Sequence, residues 1–348
     1  MCEGVTLARD LIAMMPAPLT RVFFSDSGST SVEVALKMAL GYWHNRALDG
    51  LDEARSRILV LEHSYHGDTI GAMSIGERGV YNAAWTPLLF DVGTIPFPHP
   101  GREQETLAAL ETACADHPAA FIVEPLILGA GGMLIYPPHV LRAMADICAR
   151  HDVLFIADEV MTGWGRTGTL FACEQAGVVP DIMAVAKGIT GGAIPLAATL
   201  ATPRIFEAHR STDRARLFYH SSSYTANAIA CAAAAENLAI WAEEDVRGRI
   251  AALAQGIADR LSSLAGHPAF ANPRQIGTIM AIDLIAADAG YLSDLAPRLR
   301  AFFLERGLLL RPLGNTIYLM PPYCIDAQQL DAVFAALVAA GDYFGSAS

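Results

Sequence analysis

The sequence predicts an α/β domain with a mostly parallel sheet, followed by a smaller α+β domain. Three observations carry this expectation. Short apolar runs of strand length recur along the first two thirds of the chain, separated by stretches with helical periodicity. The runs are apolar at consecutive positions, as strands covered on both faces are. The polar residues able to do chemistry fall just after those runs, where open α/β sheets place their ligands.

In chain order, a helix-like stretch over residues 6–14 leads straight into a strand at 21–25 (RVFFS). Further strands are expected at 58–62 (ILVLE), 120–124 (AFIVE), 153–158 (VLFIAD), 182–186 (IMAVA) and 196–201 (LAATLA), all read as buried and parallel. Residues 31–46, 103–116 and 139–151 read as the amphipathic helices between them. A long Ala-rich helix over 226–241 leaves this domain, and 245–264 continues helical. The remainder mixes strands at 278–284 and 316–320 with helices at 293–306 and 326–340, ending in the polar tail GSAS. The division is therefore a large domain over 1–244, linking helix included, and a small one over 245–348.

Composition narrows the function. The 348 residues are 53% hydrophobic and 17% charged, ample for a sizeable core and far from a disordered composition. The formal charge of −12 argues against a nucleic-acid binder, which needs clustered positive charge. With no run of eighteen apolar residues and no basic-then-apolar leader, the expectation is neither a membrane span nor secretion but the cytoplasm. Cys2, Cys114, Cys148, Cys173, Cys231 and Cys324 form no CxxC pair and read as free thiols rather than metal ligands. Of 24 basic residues, 22 are Arg, and the two lysines are Lys37 and Lys187. Arg cannot replace Lys where an amine must lose its proton and attack a carbonyl.

Five places could carry chemistry. The turn 25–30 (SDSGST) exposes backbone N–H groups at a helix start, a phosphate cradle or a plain hydroxyl N-cap. In 64–68 (SYHGD), Tyr65 could stack on a flat ring with Gly67 allowing close approach, or could simply pack on its own domain. Asp158 closes a buried strand and needs a cationic partner, either a protonated pyridine nitrogen or Arg166 with backbone amides. Lys187 ends an apolar strand before a Gly-rich turn, where desolvation would free its amine as a nucleophile. Lys37, one helical turn after Glu33, reads instead as a solvated face residue. Arg311, between an apolar run and a turn, could clamp a carboxylate bidentately or serve a structural ion pair. Residues 163–168 (GWGRTG) match a dinucleotide fingerprint letter for letter, which would imply a NAD-dependent oxidoreductase. They are discounted, because the strand ends in Asp-Glu and several residues separate it from the first glycine.

Together, FFSDSGSTSVEVALKMALGYW, YHGDT, FIVEP, IADEVMTGWGRTG, PDIMAVAKGITGG and HSSSYTANAIACAAA resemble the class III (omega-type) aminotransferases, fold type I enzymes that use pyridoxal 5′-phosphate. The resemblance spans nearly the whole chain. It implies that Lys187 is the Schiff-base lysine and proton shuttle, and that Asp158 pairs with the pyridine nitrogen so the ring can take up electrons. It further implies Val160 and Tyr65 on the two ring faces, Gly28 and Ser29 on the phosphate, and Ser223, where the family usually has Thr, reaching the phosphate of a neighbouring subunit. A homodimer with composite sites follows.

Within the class, the SDSGS run, the GAGGM segment and RPLGNTIYLMPPY are most similar to the biotin-synthesis members. Those take the amine of S-adenosylmethionine and give it to 8-amino-7-oxononanoate, making 7,8-diaminononanoate. On that resemblance Arg311 receives the substrate carboxylate, and Tyr65 lines the same pocket. The alternatives are another omega-amino acid transaminase using pyruvate or 2-oxoglutarate, the oxidoreductase, and an inactive remnant. The last arises because the family carries a pocket-lining segment before the first strand, which this chain is expected to lack. Leu128 also stands where many relatives carry Gln.

Overall fold

A computed structural model describes residues 3–79, 82–286 and 294–345. Cys2, Ser293 and residues 346–348 of the tail lie outside the described residues. The chain divides into two compact units, one of residues 1–131, 136–164 and 171–244, the other of 132–135, 165–170 and 245–348.

The first unit is built on seven strands: β1 (Arg21–Ser25), β2 (Ile58–Leu61), β3 (Gly93–Ile95), β4 (Ala120–Val123), β5 (Leu154–Asp158), β6 (Ile182–Val185) and β7 (Ala197–Ala201). They lie in the order β1-β7-β6-β5-β4-β2-β3. Neighbours from β6 to β3 are parallel, with Phe121 opposite Phe155 and Asp158 opposite Ala184. The α/β class and the mostly parallel sheet are as the sequence predicts. One strand is not: β7 runs antiparallel to both β6 and β1. A parallel return needs a crossover of a dozen or more residues, usually a helix. Helices α2 (Gly28–Leu48), α3 (Glu103–Cys114) and α4 (Pro138–Arg150), which follow α1 (Glu3–Met14), supply such crossovers elsewhere. Between β6 and β7 there is only the single 3₁₀ turn Lys187–Thr190, so the chain doubles back.

The central strands are buried along their whole length. Ile58, Val60, Ile122, Ile156 and Ala184 point to one face, against Val32, Ala35, Ala39 and Trp43 of α2. The alternate residues Leu59, Leu61, Phe121, Val123 and Phe155 are equally buried on the other face, which α4 covers at β5. This two-sided burial makes the runs read as continuously apolar. Each fully buried aliphatic side chain contributes roughly 1.5–3 kcal/mol. The Trp43 indole adds a hydrogen bond to the Ala119 carbonyl at 2.7 Å. The unit closes with α5 (Ala228–Glu243), capped by the Asn227 side chain and packed on α1.

In the second unit, α6 (Val246–Leu264) is capped by Asp245, and a three-stranded antiparallel sheet joins β8 (Phe270–Ile276), β9 (Ile279–Leu284) and β10 (Thr316–Leu319). Helices α7 (Leu295–Leu304) and α8 (Ala327–Gly345) complete its core around Ile257, Leu299, Phe303 and Leu337. No helix among the described residues is long and apolar enough to cross a membrane.

Candidate active site at the carboxyl edge of the large sheet

The carboxyl ends of β1, β2, β4, β5 and β6 share one edge, because these strands run in one direction. At the end of β1, Ser27 caps α2: its side chain accepts from the Thr30 N–H at 3.2 Å, and Thr30 Oγ1 accepts from the Ser27 N–H at 3.0 Å. The helix thus begins at Gly28, three residues before the expected start. The hydroxyl N-cap reading of this turn holds. Ser27 spends its hydroxyl on the cap, and the Gly28 and Ser29 N–H groups, which have no acceptor inside the helix, face outward at its positive end.

The turn is pressed close to its neighbours. A Cβ on Gly28 would lie 2.7 Å from Val160 Cγ1. A Cβ on Gly67 would lie 2.2 Å from Ser29 Oγ, and Gly67 has φ +133°, open only to glycine without strain. Ser29 Oγ in turn accepts from the Asp68 N–H at 3.1 Å.

Asp158 is 4% exposed at the end of β5. Its partner is not Arg166, which donates to the Pro321 carbonyl within the second unit. It is His66: Nδ1 lies 2.7 Å from Asp158 Oδ2, and the Val160 N–H donates to Oδ1 at 3.1 Å. Burial alone would lower the imidazole's pKa. The hydrogen bond and charge of Asp158, helped by Glu124, outweigh this and raise it. Its other nitrogen, Nε2, is buried with no partner. Glu124 follows β4 and accepts from the Tyr65 N–H at 3.1 Å and the Gly129 N–H at 3.2 Å. Burial pushes its carboxyl up to about 7, although His66 pulls the other way. The Tyr65 hydroxyl donates to Asp68 Oδ2 at 2.8 Å, and burial followed by that bond raises its pKa. Tyr65 and Asp68 also line a cavity of about 230 Å³ with His63, Glu77 and Arg78.

Lys187 begins the 3₁₀ turn after β6. It is exposed rather than desolvated, because the apolar run ends at Ala186 and the backbone turns away there. Leu128 is fully buried. Ser223 lies exposed in the loop before α5, beside Ser222, whose hydroxyl donates to Asp26 Oδ2 at 2.6 Å. Lys37 is not a plain solvated residue. Glu33 turns away from it to accept from Thr69 Oγ1 and the Gly71 N–H, and Lys37 Nζ donates to the Tyr219 carbonyl at 2.6 Å. Arg311 belongs to the second unit, where it is exposed and its charge acts on Tyr318. The GWGRTG stretch is a turn with Gly165 at φ +87° and Gly168 at φ +103°, followed by one short turn of helix at Cys173–Ala176. It offers no long helix start for a pyrophosphate. Glu159, after Asp158, is committed to the Ala172 and Cys173 N–H groups.

The residues suit pyridoxal phosphate. A buried carboxylate, oriented by His66, suits a cationic ring nitrogen, two glycines let the backbone at the helix start and the Val160 and Ser29 side chains come close, and that helix start offers amides to a phosphate. His66 and Glu124 are the residues that sequence reasoning passed over. The signal was available: Glu124 closes a wholly apolar strand, as Asp158 does.

Fold and site together define a pyridoxal-phosphate transaminase of fold type I. The family profile described as Aminotransferase class-III matches residues 2–340, and the chain belongs to that family. It is 46% identical over 344 residues to the adenosylmethionine-8-amino-7-oxononanoate aminotransferase of Synechococcus elongatus, spanning 95% of this chain and 78% of that protein. The protein of the same name from Anoxybacillus flavithermus is 40% identical, over 95% and 76%. Among solved structures, the enzyme of that name from Methanocaldococcus jannaschii superposes with a TM-score of 0.93 at 32% identity, covering 99% of this chain and 80% of that one. An amine transaminase from an uncultivated Pseudomonas species, solved in its PLP-bound form, gives 0.90 at 33%, over 99% and 82%. Family membership sets aside the oxidoreductase reading of the glycine motif.

Proposed function

We propose that the chain transfers an amino group from S-adenosylmethionine to 8-amino-7-oxononanoate, giving 7,8-diaminononanoate for biotin synthesis. The observation that carries this reading is the 46% identity to a relative of that name over 95% of the chain, joined to an intact carboxyl-edge site. The cofactor, when bound, supplies an electron sink for the pair left on the substrate carbon.

The protein's own residues do the rest. The Gly28 and Ser29 amides hold the phosphate. Asp158, oriented by His66 and the Val160 amide, keeps the ring nitrogen protonated. Val160 and Tyr65 pack on the two ring faces. The Lys187 amine would hold the cofactor between turnovers and, when free, would take the proton from the donor carbon and return one to the ketone carbon. Arg311 receives the carboxylate of 8-amino-7-oxononanoate, and Tyr65 borders its path, as its place on the 230 Å³ cavity supports.

A homodimer completes the site, with Ser223 reaching the phosphate of the neighbouring subunit. Tyr219, Tyr224 and Ile229, exposed by 61%, 69% and 72% around that serine, support a covered face there. The buried free thiols Cys114, Cys148, Cys173 and Cys231 fit a reducing cytoplasm.

The test is a visible spectrum of the purified chain with pyridoxal phosphate, before and after S-adenosylmethionine, in wild type and Lys187→Ala. A visible band that S-adenosylmethionine bleaches in wild type, with no turnover in the variant, is the expected result. Turnover by Lys187→Ala overturns the lysine assignment. A band that answers to another amine and ignores S-adenosylmethionine moves the chain to the amine-transaminase reading, which the Pseudomonas relative represents.

A further inference from the structure

The backbone at Lys187 is held in an unfavourable conformation, and the device that holds it is visible. Lys187 has φ +43°, in the left-handed region that L side chains with a full Cβ avoid. The residue before it, Ala186, is extended at φ −156°, so the chain reverses sharply at the lysine itself. A non-glycine residue persists in such a conformation only where its surroundings over-determine it, and such places cluster at functional sites.

Two groups over-determine it here, both tied to α5. Asn237 lies midway along that helix, and its Nδ2 donates to the Gly188 carbonyl at 2.9 Å and the Ile189 carbonyl at 3.2 Å. These are the carbonyls of the two residues directly after the lysine. The Gly188 carbonyl also accepts from the Gly191 N–H at 3.0 Å, which closes the turn. From the other side the Trp164 side chain lies against Gly188, where a Cβ would approach it to 2.5 Å. Trp164 is itself held at φ +60° and packs on Trp241 at 6.3 Å between ring centroids. Asn237 and Trp241 are four residues apart and share one face of α5. A single helix therefore grips the turn directly by hydrogen bonds and indirectly through an aromatic pair.

We propose that Asn237 is a positioning residue for the reaction, fixing the turn Lys187–Thr190 so that the Lys187 amine is presented to the substrate carbon in one orientation. This rests on the reading of Lys187 as the proton-carrying amine. Asn237 acts only through the backbone, so its loss should slow proton movement and leave substrate recognition alone. A single misplaced group costs rate far more than binding, because catalysis depends on a near-attack geometry.

The test uses the cofactor-loaded dimer and three variants, Asn237→Ala, Asn237→Asp and Gly188→Ala. Asn237→Asp keeps the shape but sets a carboxylate oxygen, in place of Nδ2, against both carbonyl oxygens, so it separates the hydrogen bonds from mere space filling. Gly188→Ala disturbs the same turn from the tryptophan side and guards against a folding defect peculiar to α5. In Asn237→Ala and Asn237→Asp we expect kcat to fall about tenfold, the magnitude of one or two lost hydrogen bonds, with the KM of donor and ketone within about twofold. The deuterium isotope effect on the donor carbon should rise, and the pH midpoint of the bound cofactor's visible absorbance should move by roughly half a unit, with Asp worse than Ala. Gly188→Ala should repeat the pattern.

An Asn237→Asp protein with wild-type kcat and wild-type pH midpoint overturns the proposal. So does a variant that only melts earlier while each loaded site turns over normally, since Asn237 would then hold the fold and not the amine. Borohydride reduction of the wild type, followed by peptide mass mapping, keeps the two readings apart. Cofactor mass on Lys187 upholds the lysine whatever Asn237 does, and its absence there removes the reading on which the proposal rests.

Discussion

Replacing Glu124 by Gln should make the cofactor-free chain gain stability over wild type as pH rises from acid to alkaline. Glu124 is fully buried, and burial moves its carboxyl from the ordinary 4.5 up to about 7. In the unfolded chain it ionises at the ordinary value. Between the two values the folded chain binds the proton that the unfolded chain has lost, so stability falls as pH rises through that window. The contribution is fully present below about pH 4.5 and gone above about pH 7. A shift of this size is worth about 3 kcal/mol, at 1.36 kcal/mol for each pH unit. Gln is neutral throughout, but its one amide oxygen keeps only one of the two N–H groups, from Tyr65 or from Gly129, and its NH2 faces the other, a cost of about 1–3 kcal/mol that is the same at every pH. The Glu124 charge also helps to raise the pKa of His66, and the substitution gives up that help, so the difference to be read between acid and alkaline pH is roughly 2–3 kcal/mol. Urea unfolding at pH 4 and pH 8, followed by tryptophan fluorescence, measures it. Relative to wild type, the Gln variant should unfold at higher urea at pH 8 than it does at pH 4. A variant weaker by the same amount at both pH values would refute the reasoning, because Glu124 would then act as an ionised acceptor throughout.

Three further outcomes follow from named contacts. Gly28→Ala places a Cβ 2.7 Å from Val160 and should weaken pyridoxal phosphate binding at least about tenfold in equilibrium titration of the cofactor-free chain; unchanged affinity would mean the turn is not the phosphate cradle. Arg311→Ala should raise the KM for 8-amino-7-oxononanoate by about tenfold or more with cofactor affinity intact, as loss of a charged hydrogen-bond pair does; equal loss of both would make Arg311 structural. Lys37→Met removes the anchor on the Tyr219 carbonyl and should free the loop that carries Ser223, read as a weaker dimer in sedimentation and faster cofactor release; a variant equal to wild type in both would leave Lys37 a surface residue.

What the sequence revealed and what it hid divide along a physical line. Wholly buried strands announce themselves because both faces demand apolar residues, so β2, β4, β5 and β6 were legible from their runs. β3 has three residues with an exposed centre, and β8 carries Asn-Pro-Arg-Gln with most of its length half-exposed, so neither shows the pattern. The direction of β7 was hidden because apolar content is the same for either direction. The length of the preceding connection held that information, and it is too short for a crossover. In the site, Asp158 was legible because a charge at the end of an apolar strand demands a partner. The partner itself, His66, was not, because it stands 92 residues away and nothing local reports the pairing. The helix start was placed late because Gly28 and Ser29 are weak helix formers by themselves. The Ser27–Thr30 capping box, a reciprocal pair of side chain to backbone bonds, overrides that weakness.

The two lysines show how far composition alone can be pushed. In a chain that uses Arg at 22 of 24 basic positions, each Lys invites the question of what a guanidinium could not do there. At Lys187 the answer is chemical, since the proposed role needs an amine that can lose a proton. At Lys37 the answer is geometric, and no local pattern in the sequence contains it. Its Nζ donates along one line to the Tyr219 carbonyl, lies 3.3 Å from His220 Nδ1, and sits 5.7 Å from the centre of the Phe218 ring. A compact ammonium at the end of a flexible stem meets these three groups as a point charge. A planar fork with five fixed donors is a poorer match to a site where the histidine is stacked on that same ring at 16° between planes. The rarity of lysine therefore marks two different constraints, and only the first could be inferred before the loop bearing Ser223 was seen against α2.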